Sequence, residues 1–272
     1  MTMIEIAGLT KLFNAGSLDE VLALDDVCLE IREHDFLTVI GTNGSGKSTL
    51  LNVIAGNIIP DKGIIRIKGK EVTRHPDFKR AKYIARVFQN PFQGTAPDMT
   101  IAENLLMAWL RGKHRWPLLS LNRKIKSFFR DQLASLDMDL EKRLENVMGT
   151  LSGGQRQAVT LLMAVLQTPD VLLLDEHTAA LDPKTAAQVI RLTRKFVEEH
   201  HLTAIMVTHS MNQALELGNR TIMMHHGRII DDISSEEKKK LTIDDFLNKF
   251  EDIRKQEKLT PELIGRLKAL YC

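Results

Sequence analysis

The chain has 272 residues, 43% of them hydrophobic and 26% charged, a balance that supports one large or two modest packed domains and excludes global disorder. Its 37 Lys and Arg against 35 Asp and Glu leave a net charge of +2, so no nucleic acid is expected as a partner. Its two cysteines, Cys28 and Cys272, form no CxxC pair, which excludes the usual zinc spacings and a disulfide framework and fits a reducing compartment.

MTMIEIAGLTKLF, at the start, has no basic segment followed by an apolar one and does not read as a signal peptide. The apolar run Leu161–Leu166 falls far short of the roughly 20 residues a membrane span needs. The chain is expected to be soluble by itself, with any membrane role supplied by a partner.

Residues 3–9, 21–31 and 35–40 read as β segments. FLTVIG (36–41) is a continuous apolar run, as in a strand buried on both faces. KSTLLNVIAG follows, with Leu50, Leu51, Ile54 and Ala55 at helical spacing. Asp61-Lys62-Gly63 marks a turn, and GIIRIKGKEV alternates like a half-exposed strand. From about Asn90 the texture changes. QNPFQGTAPD is a loop, and Thr100 with Glu103 three residues on is a capping-box signal. Residues 100–148 carry helical periodicity and read as a helical insertion. VLLLDE (171–176) and TAIMVTH (203–209) read as buried strands, 183–200 as a helix opening at Pro183, and 220–230 as a hairpin turning near His226-Gly227. Strands alternating with helices imply a parallel α/β sheet. Residues 236–272 are charged and helical in pattern, and no internal repeat is visible.

GTNGSGKST (41–49) fits G-x-x-x-x-G-K-[ST], with Gly41, Gly46, Lys47 and Ser48 in place. Glycines let backbone N–H groups converge on a phosphate, and the following helix adds its positive end. Lys47 would reach the β and γ phosphates, and Ser48 would ligate Mg²⁺. Asp175, closing a buried strand, would approach the same cation. Glu176, next along and aimed at the other face, would polarise an attacking water. His209 ends another strand at the carboxyl edge of the sheet, where ligands bind in such folds. His177 is its rival, and the strand-end position favours His209. The remaining histidines, including the pairs at 200–201 and 225–226, read as surface. Gln89, after a strand-like run, offers an amide oxygen to Mg²⁺.

Phosphate loop, VFQNP, LSGGQRQ, VLLLDE, TAALD and VTH, in this order, resemble the nucleotide-binding subunits of ATP-binding cassette (ABC) transporters over about residues 3–230. The resemblance implies an α/β P-loop NTPase with an antiparallel β subdomain, a RecA-like parallel core and a helical insertion at about 91–160. These form an ATPase domain at 1–235, followed by a helical extension at 236–272. It implies nucleotide contacts from Asn43, Gly44, Ser45, Gly46, Lys47, Ser48 and Thr49 of the Walker A loop, Gln89 of the Q-loop, and Ser152, Gly153, Gly154 and Gln155 of the signature loop. Asp175 and Glu176 become the Walker B pair with Glu176 as general base, Asp182 closes the D-loop, and His209 is the switch histidine. Phe13 matches the aromatic position that stacks on adenine, where the family more often has Tyr. One departure stands out, because many members read D-E-P-T where this chain has Asp175-Glu176-His177-Thr178.

The family pattern further implies a head-to-tail homodimer, in which ATP on one copy is capped by the signature loop of the other. It also implies permease subunits, an extracytoplasmic substrate-binding protein and a place on the cytoplasmic face of the membrane. EHTAALDPKT, QGTAP and GNRTIMMHHGRII are similar to bacterial import ATPases linked to tryptophan and tyrosine uptake. An exporter ATPase and a soluble cofactor-assembly ATPase are the competing readings. From Arg111 to Arg130 there are seven Lys and Arg and no acid, which reads as a solvated helix face or as a surface near anionic lipid headgroups.

Overall fold

The structure, a computed structural model, describes residues 1–112, 121–242 and 245. It contains two sheets. In the first, β2 (Val21–Arg32), β1 (Thr2–Phe13), β4 (Lys62–Ile67) and β5 (Lys70–Glu71) lie side by side in that order, all antiparallel. In the second, the order is β10 (Arg228–Ile233), β9 (Arg220–His225), β3 (Phe36–Gly41), β8 (Thr203–Val207), β7 (Val171–Asp175) and β6 (Ile84–Val87). Strands β9, β3, β8, β7 and β6 run parallel, and only β10 is antiparallel to its neighbour. Non-consecutive neighbours need helical crossovers, which supply the layers on each face.

Alternation along β7 explains its apolar run. Val171 and Leu173 pack with Leu50, Leu51 and Ile54 of α1 (Lys47–Ala55) and with Ile4 and Ile6 of β1. Leu172 and Leu174 join the other core, with Val159 and Leu162 of α5 (Gly153–Val165) and Phe196 of α6 (Pro183–Glu199). Both faces of the sheet are therefore buried. The expected hairpin forms between β9 and β10, with His226 and Gly227 both at positive φ, 44° and 77°, the type I′ geometry that suits strand twist.

The short α2 (Asp77–Arg80) precedes β6, and the helical region then contains α3 (Ile101–Leu110), α4 (Arg123–Ala134) and two short 3₁₀ turns before α5. The capping box on α3 is present: Glu103 N–H donates to Thr100 Oγ1 at 3.2 Å, and Thr100 N–H donates to Glu103 Oε2 at 2.7 Å. On α4, Ile125, Phe129 and Leu133 face the core at i, i+4 and i+8, while Arg123, Lys124 and Arg130 are exposed. Arg111 departs from the reading of a uniformly outward basic face. It is half-buried, donates to the Ala164 carbonyl at 3.1 Å, and has its pKa lowered by burial. Lys113 and Arg115 lie outside the described residues.

Helix α5 ends at Val165 and packs on both β6 and α6. Just beyond 235 the chain makes a contact back to the sheet layers. In the one-turn helix α8 (Ser235–Lys238), Lys238 is buried and donates to the carbonyls of Leu217 at 2.6 Å and Gly218 at 3.1 Å, which follow α7 (Met211–Glu216). Burial lowers its pKa to about 8. Most of the expected 236–272 extension, Cys272 included, lies outside the described residues.

Candidate active site

The loop between β3 and α1 is shaped by close backbone approach. A Cβ on Gly46 would meet the Ala23 carbonyl oxygen at 2.3 Å, and its φ is +97°, a combination only glycine tolerates. As the N-cap of α1, Gly46 has no side chain to bond the first N–H groups, so the positive helix end is left for an anion. From below, the hairpin braces the loop: Gly227 N–H donates to the Ser45 carbonyl at 3.1 Å. His225 is half-buried there, its Nδ1 3.5 Å from Thr42 Oγ1, and so is not the plain surface residue expected.

Lys47 is 5% exposed. Its Nζ donates to the carbonyls of Gly41 at 2.9 Å and Thr42 at 2.8 Å and to Ser45 Oγ at 3.4 Å. Burial lowers its pKa, and the negative charges of Glu176 and Asp175 oppose that shift. Asn43, Gly44 and Ser48 are exposed, Ser45 is buried, and Gly46 and Thr49 are half-buried.

Strand β7 delivers the two acids. Asp175 Oδ2 accepts from Arg86 Nη2 at 2.6 Å, with side-chain exposures of 14% and 11%. Glu176 then leaves the strand at φ 45°, left-handed backbone that costs a non-glycine residue about 1–2 kcal/mol. Its N–H donates to the Val207 carbonyl at 3.0 Å, and its Oε1 lies 2.6 Å from His209 Nε2. The two residues chosen at separate strand ends are thus brought into direct contact. His177, the rival, turns inward. It is 2% exposed, its Nε2 lies 2.9 Å from Thr193 Oγ1, and burial lowers its pKa to about 4.

Gln89 is exposed, two residues past β6. The signature helix reaches the same loop, where Gln157 Nε2 donates to the Phe88 carbonyl at 3.1 Å and the Arg156 guanidinium lies 3.8 Å from the Phe92 ring centroid. Phe13 closes β1 opposite Val21, two residues along β2 from Ala23, whose carbonyl oxygen occupies the space a Cβ on Gly46 would need. This places the ring on the strand pair that underlies the loop.

Ser152 and Gly153 are exposed at the positive end of the 13-residue α5. Ser152 Oγ accepts from Gln155 N–H at 3.3 Å and Gln155 Oε1 accepts from Ser152 N–H at 3.3 Å, so this pair forms a capping box. Gly154 is needed for packing, because a Cβ there would lie 1.9 Å from Thr185 Cγ2 of α6. Asp182 caps α6, its Oδ1 accepting from Thr185 N–H at 3.1 Å, and these bonds with Thr185 lower its pKa. Among the described residues, no hydrogen bond or ion pair joins 41–49 to 151–155.

The donors available to a cation are Ser48 hydroxyl, Gln89 amide oxygen and Asp175 carboxylate, all hard oxygens of the kind Mg²⁺ takes alongside phosphate. They fit that ion. Among the described residues no group of three His, Cys, Asp or Glu is placed to hold a metal ion. Arg86 escaped the sequence reading. The only signal for it is a charge in IARV, beside strands that are otherwise apolar.

A phosphate-cradling loop, a carboxylate pair and a histidine at one edge of a parallel sheet define the P-loop ATPase class. Residues 24–179 match the ABC transporter family, and the chain belongs to that family as an ATP-binding, ATP-hydrolysing subunit. It is similar to the tyrosine transport ATP-binding protein of Clostridioides difficile, 42% identical over 92% of this chain and 99% of that one. A phosphonates import ATP-binding protein of Haloquadratum walsbyi is 34% identical over 90% of this chain and 77% of that one. Among solved structures, the dimeric post-hydrolysis state of an ATP-binding cassette bound to ADP and phosphate matches with a TM-score of 0.73. That match is at 28% identity over 86% of this chain and 99% of that chain. Among the described residues no helix is long and apolar enough to cross a membrane.

Proposed function

We propose that this chain is the ATPase subunit of an importer for a small solute of the amino-acid class, with an aromatic amino acid as the leading candidate. The 42% identity to a tyrosine transport ATP-binding protein over nearly the whole of both chains supports this reading. Two copies assemble head to tail beneath permease subunits, on the cytoplasmic face of the membrane, and an extracytoplasmic binding protein delivers the solute. Residues 1–235 form the main body of the ATPase, with the helical region at about 91–160 facing the permease.

ATP phosphates lie in the loop 41–49, held by its N–H groups, by Lys47 and by the free end of α1. Phe13 stacks on adenine. Ser48, Gln89 and Asp175 hold Mg²⁺, which, when bound, neutralises charge on the β and γ phosphates. Glu176 takes the proton from the attacking water. His209, 2.6 Å from its carboxylate, fixes the direction of that carboxylate and reaches toward the γ-phosphate. Ser152, Gly153, Gly154 and Gln155 of the second copy close the site, with Asp182 beside them. The carrying observation is the Glu176–His209 contact at the same sheet edge as Lys47, with the exposed Ser152–Gly153 end of α5 unconnected to it.

Glu176→Gln tests the assignment. It keeps ATP binding while turnover falls by about 10²–10⁴-fold, the range for losing a general base. Normal turnover in that variant would remove Glu176 from the role. Co-purification with a multi-span membrane protein tests the transport role, and its consistent absence would favour a soluble ATPase.

A further inference from the structure

Arg86 belongs to none of the phosphate-site motifs, yet it touches three segments of the site. It stands on β6, three residues before Gln89. Nη2 donates to Asp175 Oδ2 at 2.6 Å, and Nη1 donates to Asn52 Oδ1 at 2.6 Å and Asn57 Oδ1 at 3.3 Å. Asn52 lies four residues after Ser48 on α1, one helical turn away and on the same face. The register explains the meeting. Arg86 pairs with Leu173 across β6 and β7, and Leu173 packs in the core beneath α1. Asp175, two residues further on, returns to that face. The guanidinium also lies 4.7 Å from the ring centroid of Phe88, the residue before Gln89.

Resting on the metal reading above, we propose that Arg86 is the positioning residue of the cation site. Its planar fork binds Asp175 and Asn52 at once, so that the segments carrying Ser48, Gln89 and Asp175 keep one another's spacing. With Oδ2 held, Oδ1 is the carboxylate oxygen left for the cation. A lysine is a point donor and does not reproduce a bond to two partners in fixed directions. Partners that orient a metal ligand typically change metal affinity by about 10–100-fold when removed. A guanidinium serving only as a counter-charge would act oppositely, because its removal would strengthen the pull of Asp175 on a cation.

The test uses the full chain loaded with a non-hydrolysable ATP analogue, with Mn²⁺ binding followed by electron paramagnetic resonance. Analogue affinity in EDTA reports whether the phosphate loop is intact. Arg86→Met is expected to keep that affinity within about twofold and to weaken Mn²⁺ binding by about tenfold or more, with Arg86→Lys between it and wild type. Asp175→Asn is expected to weaken Mn²⁺ binding as well, and adding Arg86→Met to it to cost little further. Unchanged or tighter Mn²⁺ binding in Arg86→Met, with Asp175→Asn weakened, overturns the role of Arg86 and leaves the metal reading standing. Unchanged binding in Asp175→Asn overturns the metal reading, and this proposal with it. If Arg86→Met fails to bind the analogue in EDTA, Arg86→Lys decides, and wild-type Mn²⁺ affinity there overturns the proposal.

Discussion

Replacing His177 with glutamine should flatten the acid side of the chain's stability curve. His177 is 2% exposed, and burial lowers its pKa from 6.5 to about 4. Thr193 donates its hydroxyl hydrogen to the Val189 carbonyl at 2.9 Å. A hydroxyl has one hydrogen to give, so the imidazole hydrogen sits on Nε2 and is donated to Thr193 Oγ1. Above pH 6.5 the ring is neutral in both folded and unfolded chains, and the stability is fully present. As pH falls from 6.5 toward about 4, the unfolded chain takes up a proton that the folded chain refuses, and stability drops. The loss is roughly 2 kcal/mol between pH 7 and pH 5, and roughly 3 kcal/mol in all. Glutamine keeps an N–H donor for Thr193 and does not titrate. Urea unfolding of both proteins at pH 7, 6 and 5 reads the difference. The variant should be the less stable at pH 7, and the gap should shift in its favour by roughly 2 kcal/mol at pH 5. Parallel curves for the two proteins would refute the buried, neutral assignment.

Two further substitutions probe the nucleotide site. Phe13→Ala should weaken ATP binding by about tenfold or more in equilibrium titration, since base stacking on an aromatic ring is worth about 1–3 kcal/mol; unchanged affinity would move the adenine elsewhere. Ser152→Arg should abolish hydrolysis while leaving the ATP affinity of the monomer within about twofold, because exposed residues distant from a site act nearly independently of it. A large loss of monomer affinity would mean that the signature loop serves its own chain.

Local geometry was the legible part of this protein. The phosphate loop shows in sequence because the backbone approach at Gly46 and the Lys47-Ser48 pair that follows demand particular residues at fixed spacing. The strands show because a sheet covered on both faces needs unbroken apolar runs such as VLLL. Arg86 stayed hidden because its partners Asn52 and Asp175 lie 34 and 89 residues away in sequence. Periodicity carries no information on such pairings. The inward turn of His177 follows from the left-handed backbone at Glu176, which no spacing rule anticipates. The same holds for Arg111, where a basic run read as one face while one member caps a carbonyl of α5. Capping boxes follow the same local spacing at Thr100 with Glu103 and at Ser152 with Gln155, and both form.

The proposed dimer holds ATP between the loop at Lys47 of one copy and the Ser152 end of α5 on another. Sedimentation of the Glu176→Gln chain with and without ATP tests it most directly. A site shared between two copies gives twice the chain mass with ATP, the single-chain mass without it, and loss of the dimer when Ser152→Arg is added. A single-chain mass in saturating ATP, or a dimer that survives Ser152→Arg, would contradict it.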